Sequence, residues 1–192
     1  MEKYRAIGGS VFVENGYQPS KVRLTDEEYP RAVSRLVYHC CDVVPWMYDR
    51  PTRQINLCLA KRCIKPAKNE WWVYGGSMNP GESLLETARR HFEDDTGLLI
   101  GVERLRRLFA SSDIQQYLWS DGVGGYSMHV FADTFAFEMT PQELAFAQNH
   151  LRASEYYPEK GIVLFNRQKL LGVQAHPGIV RIWDAVNRVF VK

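Results

Sequence analysis

A chain of 192 residues with 45% apolar side chains is long enough for one domain with a proper core. Its 24 Lys and Arg against 22 Asp and Glu leave a net charge of +2 without any basic run, which excludes nucleic-acid binding driven by a large positive field. No apolar stretch approaches the ~20 residues of a membrane span, MEKYRAIGG lacks a leader pattern, and Cys40, Cys41, Cys58 and Cys63 lack CxxC spacing, so a soluble cytoplasmic protein with free thiols is expected.

Residues 1–24 read as a hairpin-like appendage, because SVFVENGYQPSKVRL alternates apolar and polar residues around the turn pair Asn15-Gly16. The main domain is expected over 25–192. Thr25, with Glu28 three residues on, predicts a capped helix to about Leu36. Strands are predicted at Val37–Tyr48 and Gln54–Cys63, joined by DRPT, and at Trp71–Tyr74 after the polar IKPAKNE. A helix follows, with Leu84, Leu85, Ala88 and Phe92 at helical spacing for its buried face, and Glu86 and Arg90 paired on another. Further strands are predicted near Leu98–Phe109, Gln115–Trp119 and Met128–Phe137, with Gly122, Gly124 and Gly125 marking a turn before the last. Thr140-Pro141 opens a short helix to about Leu151; Gly161–Phe165 reads as a strand, Asn166–Gly172 as a small helix, and Pro177–Val191 as an amphipathic helix. Strands of this kind between helices give an α/β sandwich.

The stretch that carries chemistry is 76–98, GSMNPGESLLETARRHFEDDTGL. A Gly-rich loop leads into a short helix with acidic groups at helical spacing, and Gly97 stops it. Gly75-Gly76 allows close backbone approach and can offer the Gly76 carbonyl to a cation. Glu82 stands at the loop–helix junction, with Asp94 and Asp95 a turn beyond His91, so these acids are expected to converge on a cavity that seats a divalent ion against a diphosphate. Arg90, eight residues after Glu82, can pair with it and fix the loop. His91 and Asp95 are four apart, a spacing that suits either a chelating pair for a softer ion such as Mn²⁺ or a hydrogen bond between them. Trp71, Trp72 and Tyr74 lead into the loop, where strand alternation sends some rings to the core and leaves others for a nucleobase.

This spacing resembles the Nudix box, the signature of hydrolases acting on nucleoside diphosphates linked to another group. Over about 26–98 the chain is similar to the GDP-mannose mannosyl hydrolase branch, through DEEYPRAVSRLVYHCCD and LCLAKRCIKPAKNEWWVYGGS. The resemblance implies a Nudix-type α/β/α sandwich with a mixed sheet, Mg²⁺ or Mn²⁺ as cofactor, a small nucleoside diphosphate derivative as substrate, and a homodimer. It makes Asp95 the metal ligand ending the box helix, Arg90 the box arginine, and Gly76 the carbonyl donor. Arg62 and Asp42 match positions that bind the diphosphate and the sugar, with Trp72, Tyr74 and Ser77 beside them. His150, Glu155 and Glu159 are the three candidates for general base. Four departures stand out: His91 replaces a glutamate, Asp94-Asp95 are each one methylene short, Ser77 replaces an arginine, and Gln115-Gln116 replace a histidine. The expected function is metal-dependent hydrolysis of a nucleotide sugar such as GDP-mannose; a Nudix module that binds a nucleotide without turnover is the alternative.

Overall fold

The computed structural model describes residues 4–7, 11–14, 18 and 24–191. Strands β1 (Tyr4–Ile7) and β2 (Val11–Glu14) pair antiparallel in a sheet of their own. The turn expected at Asn15-Gly16 lies outside the described residues.

The main sheet grows around β3 (Val37–Asp49), in which Cys41–Trp46 are buried without a break. A continuous buried run is what a strand covered on both faces requires. β3 runs parallel to β9 (Met128–Glu138), from Val37↔His129 to Trp46↔Glu138. The other pairings are antiparallel, so the sheet is mixed. β4 (Gln54–Lys61) and β6 (Tyr74–Ser77) share the free side of β3, while β5 (Trp71–Trp72) joins the far end of β4. β7 (Arg106–Arg107) and β8 (Gln115–Trp119) share the outer side of β9, and β10 (Ile162–Phe165) closes the other edge on β4.

The five helices are α1 (Glu28–Val33), α2 (Leu84–Thr96), α3 (Pro141–Asn149), α4 (Arg167–Gly172) and α5 (Pro177–Phe190). Ala88 and Phe92 of α2 pack with Cys41, Val43, Phe135 and Phe137 on one face of the sheet. Ile179, Ile182 and Val186 of α5 pack with Val44, Trp46, Ile55 and Leu57 on the other. The result is an α/β/α sandwich, as expected. Among the described residues no helix is long and apolar enough to cross a membrane.

Local chemistry sets the ends of the site-bearing helix. Ser83 accepts from the Glu86 N–H at 3.3 Å while Glu86 accepts from the Ser83 N–H at 2.8 Å, and Gly97 closes α2 at φ 68°. Glu86 is thereby a cap rather than the partner of Arg90. Leu85, expected in the core, is exposed. The strand expected over Leu98–Phe109 shrinks to β7: Val102–Arg104 form a helical turn instead, and the Arg104 guanidinium reaches the Glu143 carboxylate and the Glu138 carbonyl. α1 ends at Val33, short of Leu36, although the reciprocal Thr25–Glu28 bonds form at 2.9 and 3.2 Å.

Candidate active site

Register places the glycines of β6 against β3: Cys41 faces Gly76 and Asp42 faces Gly75. A side chain does not fit at either position. A Cβ on Gly75 would stand 2.4 Å from the Cys41 carbonyl oxygen and 2.6 Å from Asp42 Oδ1, and one on Gly76 would stand 2.5 Å from His91 Cε1. The sheet is therefore thin here. His91 and Asp95 reach from α2 to a cavity of about 630 Å³ that is also lined from α1, β3, β5, β6, β8 and β9, from the 62–68 connection and from the segment after α3.

The acids of the box do not converge. Glu82 takes Arg90 Nε at 2.6 Å and Nη2 at 2.7 Å, the Asn79 N–H at 2.9 Å and side-chain amide at 3.1 Å, and the Thr87 hydroxyl at 3.0 Å. Burial works against its charge, but these donors outweigh it and hold the carboxyl down at about 2. Its lone pairs are committed, so Glu82 anchors the loop to α2 rather than offering a free ligand. Asp94 projects into solvent, half-exposed, with Arg90 Nη1 at 3.9 Å.

His91 Nε2 lies 2.8 Å from the Ser77 carbonyl, which only accepts, so Nε2 carries the proton in this contact. The half-buried ring lies under Gly76, and desolvation, followed by the Arg90 charge, outweighs the Ser77 carbonyl and lowers its pKa. His91 and Asp95 do not bond to each other: Asp95 Oδ2 accepts the Tyr156 hydroxyl at 3.1 Å instead.

Asp95 is the box carboxylate that faces the cavity, 2% exposed. Arg152 Nη1 stands 3.8 Å from its Oδ1. Burial raises its pKa to about 7, with Glu155 adding to the rise and Tyr156, Arg62 and Arg152 opposing it. Asp42 lines the same cavity and is raised to about 7 by burial, against Arg62 and with Asp95 and Asp133. Arg62 is fixed by the Pro66 carbonyl at 3.0 Å and Glu155 Oε2 at 3.0 Å, with the Tyr156 ring 5.7 Å away.

Trp72 and Ser77 also line the cavity; Tyr74 does not. The break at Val73 between β5 and β6 turns Tyr74 into the core between Phe92 and Tyr156, although alternation along an unbroken strand would put it on the side of Trp72, and among the described residues its buried hydroxyl has no partner. Of the three candidate bases, Glu155 lines the cavity. His150 caps α3, is stacked on Phe146, and bonds the Phe146 carbonyl at 2.8 Å; Glu159 is exposed on the turn Pro158–Lys160. Gln115 holds α5 through the Gly178 carbonyl at 3.1 Å, and Gln116 pairs with His129 at 3.1 Å.

Sequence reasoning missed Arg152 and the aromatic wall of Tyr117 and Trp119, whose rings stack at 5.8 Å and meet Trp72 at 5.4 and 5.6 Å. A period-2 reading of β8 puts Tyr117 and Trp119 on one face; which face meets a ligand is set by the fold.

Among the described residues no group of three His, Cys, Asp or Glu side chains forms a ready metal cluster. Mg²⁺ asks for less: one or two carboxylates, with phosphate oxygens and water completing the shell. Asp95, which raises the proton affinity of Asp42 and has its own raised by Glu155, fits such an ion carried in with a diphosphate. These carboxylates would hold it, and its charge would relieve the repulsion among them and neutralise phosphate oxygens.

A model of the NUDIX domain family matches residues 41–178. Among curated protein sequences none matches this chain. In structure the chain is similar to the NUDIX domain of Shewanella oneidensis NrtR complexed with ADP ribose, at TM-score 0.57 and 17% identity, over 86% of this chain and 98% of that one. It is also similar to the C. elegans Ap4A hydrolase, at TM-score 0.50 and 11% identity, over 80% of this chain and 98% of that one. It spans about half, 51%, of a MutT/nudix family protein from Enterococcus faecalis, at TM-score 0.47 and 18% identity over 74% of this chain.

Proposed function

The chain belongs to the NUDIX domain family, and from that premise we propose that it hydrolyses a nucleoside diphosphate linked to a further group, a nucleotide sugar first. The observation that carries this reading is the cavity into which one box carboxylate, Asp95, and one guanidinium, Arg62, both reach beside an aromatic wall. A diphosphate between Arg62 and Arg152 would have its charge partly neutralised in a water-poor hollow, where such contacts stabilise a developing negative charge most. Trp72 and Trp119 offer ring faces for the base. Glu155 is the group we assign to accept the proton of the attacking water, because it alone of the three candidate bases reaches the cavity; its bond to Arg62 sets where that acceptor sits. When bound, a divalent ion supplies electrostatic neutralisation of the phosphates at Asp95. GDP-mannose heads the panel of substrates because residues 26–98 resemble the mannosyl hydrolase branch, and ADP-ribose and Ap4A follow it.

A second reading, ligand binding without turnover, is favoured by the commitment of Glu82 to Arg90 and the outward turn of Asp94. Product release from these nucleotides with Mg²⁺ or Mn²⁺ separates the two. Hydrolysis is expected in the wild type and a loss of about 10²-fold or more in Asp95→Asn. Tight binding with no product in either protein would sink the enzyme reading and leave the module. Water labelled with oxygen-18 locates the attack: label in the sugar means attack at carbon, label in phosphate means attack at phosphorus.

A further inference from the structure

Ser77 stands where the resemblance puts an arginine, and the cavity wall near it carries neutral hydroxyls. Tyr29 of α1 and Tyr38 of β3 both line the cavity, with hydroxyls 3.0 Å apart and rings edge-to-face at 6.1 Å between centroids. Ser77 lines it too, paired in register with Cys40, two residues along β3 from Tyr38. Burial, then the Tyr38 hydroxyl, push the Tyr29 phenol above its usual range, so it stays neutral at working pH. Arg90 touches the Ser77 carbonyl but is committed to Glu82 and does not line the cavity. The cations that do, Arg62, Lys65, Lys68 and Arg152, come instead from the 62–68 connection and the segment after α3.

A phenol has one donor proton and lone pairs that accept. The Tyr29–Tyr38 bond uses one phenol proton and the Ser77 hydroxyl bears on Tyr29 as a further donor, which leaves the second phenol proton and the remaining lone pairs for a ligand. Such a wall suits a group that both donates and accepts. A ligand without hydroxyls leaves these groups unpaired, and an anion there would lose water without gaining a counter-charge. We propose that Tyr29 and Tyr38, with Ser77, recognise an uncharged, hydroxyl-bearing sugar joined to the diphosphate, and so select it over a bare nucleoside diphosphate. This rests on the nucleoside diphosphate reading given above.

Calorimetric titration of the full chain in EDTA, which keeps the ligands intact, tests it with four probes: GDP, GDP-mannose, ADP and ADP-ribose. In the wild type at least one sugar-bearing ligand should bind about tenfold tighter than its own diphosphate. The Tyr29→Phe/Tyr38→Phe variant keeps both rings and should bring that ratio to about one while holding the diphosphate affinity within about twofold. No preference in the wild type, a preference that survives in the variant, or an equal weakening of both ligand types would each overturn the proposal. Wild type that binds none of the four, in EDTA and with Mn²⁺ alike, would overturn the nucleotide reading as well, whereas binding without preference overturns this inference alone.

Discussion

Glu82 shows why a residue's place in a motif does not fix its role. Its spacing from Arg90 made both a ligand and an ion-pair reading available in the sequence, and the five hydrogen bonds on its carboxylate decide for the second. A carboxyl held at about 2, below its ordinary 4.5, adds stability that is present above pH 4.5 and is lost as pH falls toward 2. Solvent screens this half-exposed pair, so Glu82→Gln should lower stability by about 1 kcal/mol at pH 7 and flatten the loss between pH 4.5 and 2. Chemical denaturation across that range reads it out; an unchanged acid limb would mean the pair with Arg90 carries no stability. The sequence offered Glu82, Asp94 and Asp95 together; Asp95 alone faces the cavity, because it sits on the α2 face that also buries Ala88 and Phe92. Tyr74 was not placed, because alternation puts positions 72 and 74 on one side of an unbroken strand, and the break at Val73 that separates them has no local signal in the sequence.

The β6 strand is thin by composition, and that thinness lets α2 deliver His91 and Asp95 to the cavity. Gly76→Ala would drive a methyl to 2.5 Å from the His91 ring, and Gly75→Ala would meet backbone at 2.4 Å. The second obstacle is rigid, so Gly75→Ala should cost about 2 kcal/mol and loosen β6 from β3. Hydrogen exchange of the amides paired between β3 and β6 would report it, and unchanged protection would refute it. The sequence marked the end of α2 through Gly97 but not its start, because Glu86 is spaced both for the Ser83 cap and for Arg90 four residues on. It overextended the strand before β8, because Leu99 and Val102 are apolar yet exposed, and burial outside the segment decides what such residues do.

Across the whole molecule, the two helix-covered faces leave a hollow at one end of the sheet, where α1, β3, β6 and β8 meet. The sandwich itself followed from periodicity and the Gly-rich box. The hollow's far wall did not: Tyr117 lies 45 positions from Trp72 in sequence and Arg152 lies 57 from Asp95, separations that only the register of the sheet and the return of the chain after α3 bring together. The central claim is that Asp95, and not Glu82 or Asp94, is the box carboxylate serving the phosphates. A crystal structure with a nucleoside diphosphate and Mn²⁺, read by the ion's anomalous signal, addresses it most directly. The ion is expected on Asp95, with the diphosphate against Arg62 and Glu82 still bound to Arg90. An ion held between Glu82 and Asp94, or a nucleotide seated outside the hollow, would contradict it.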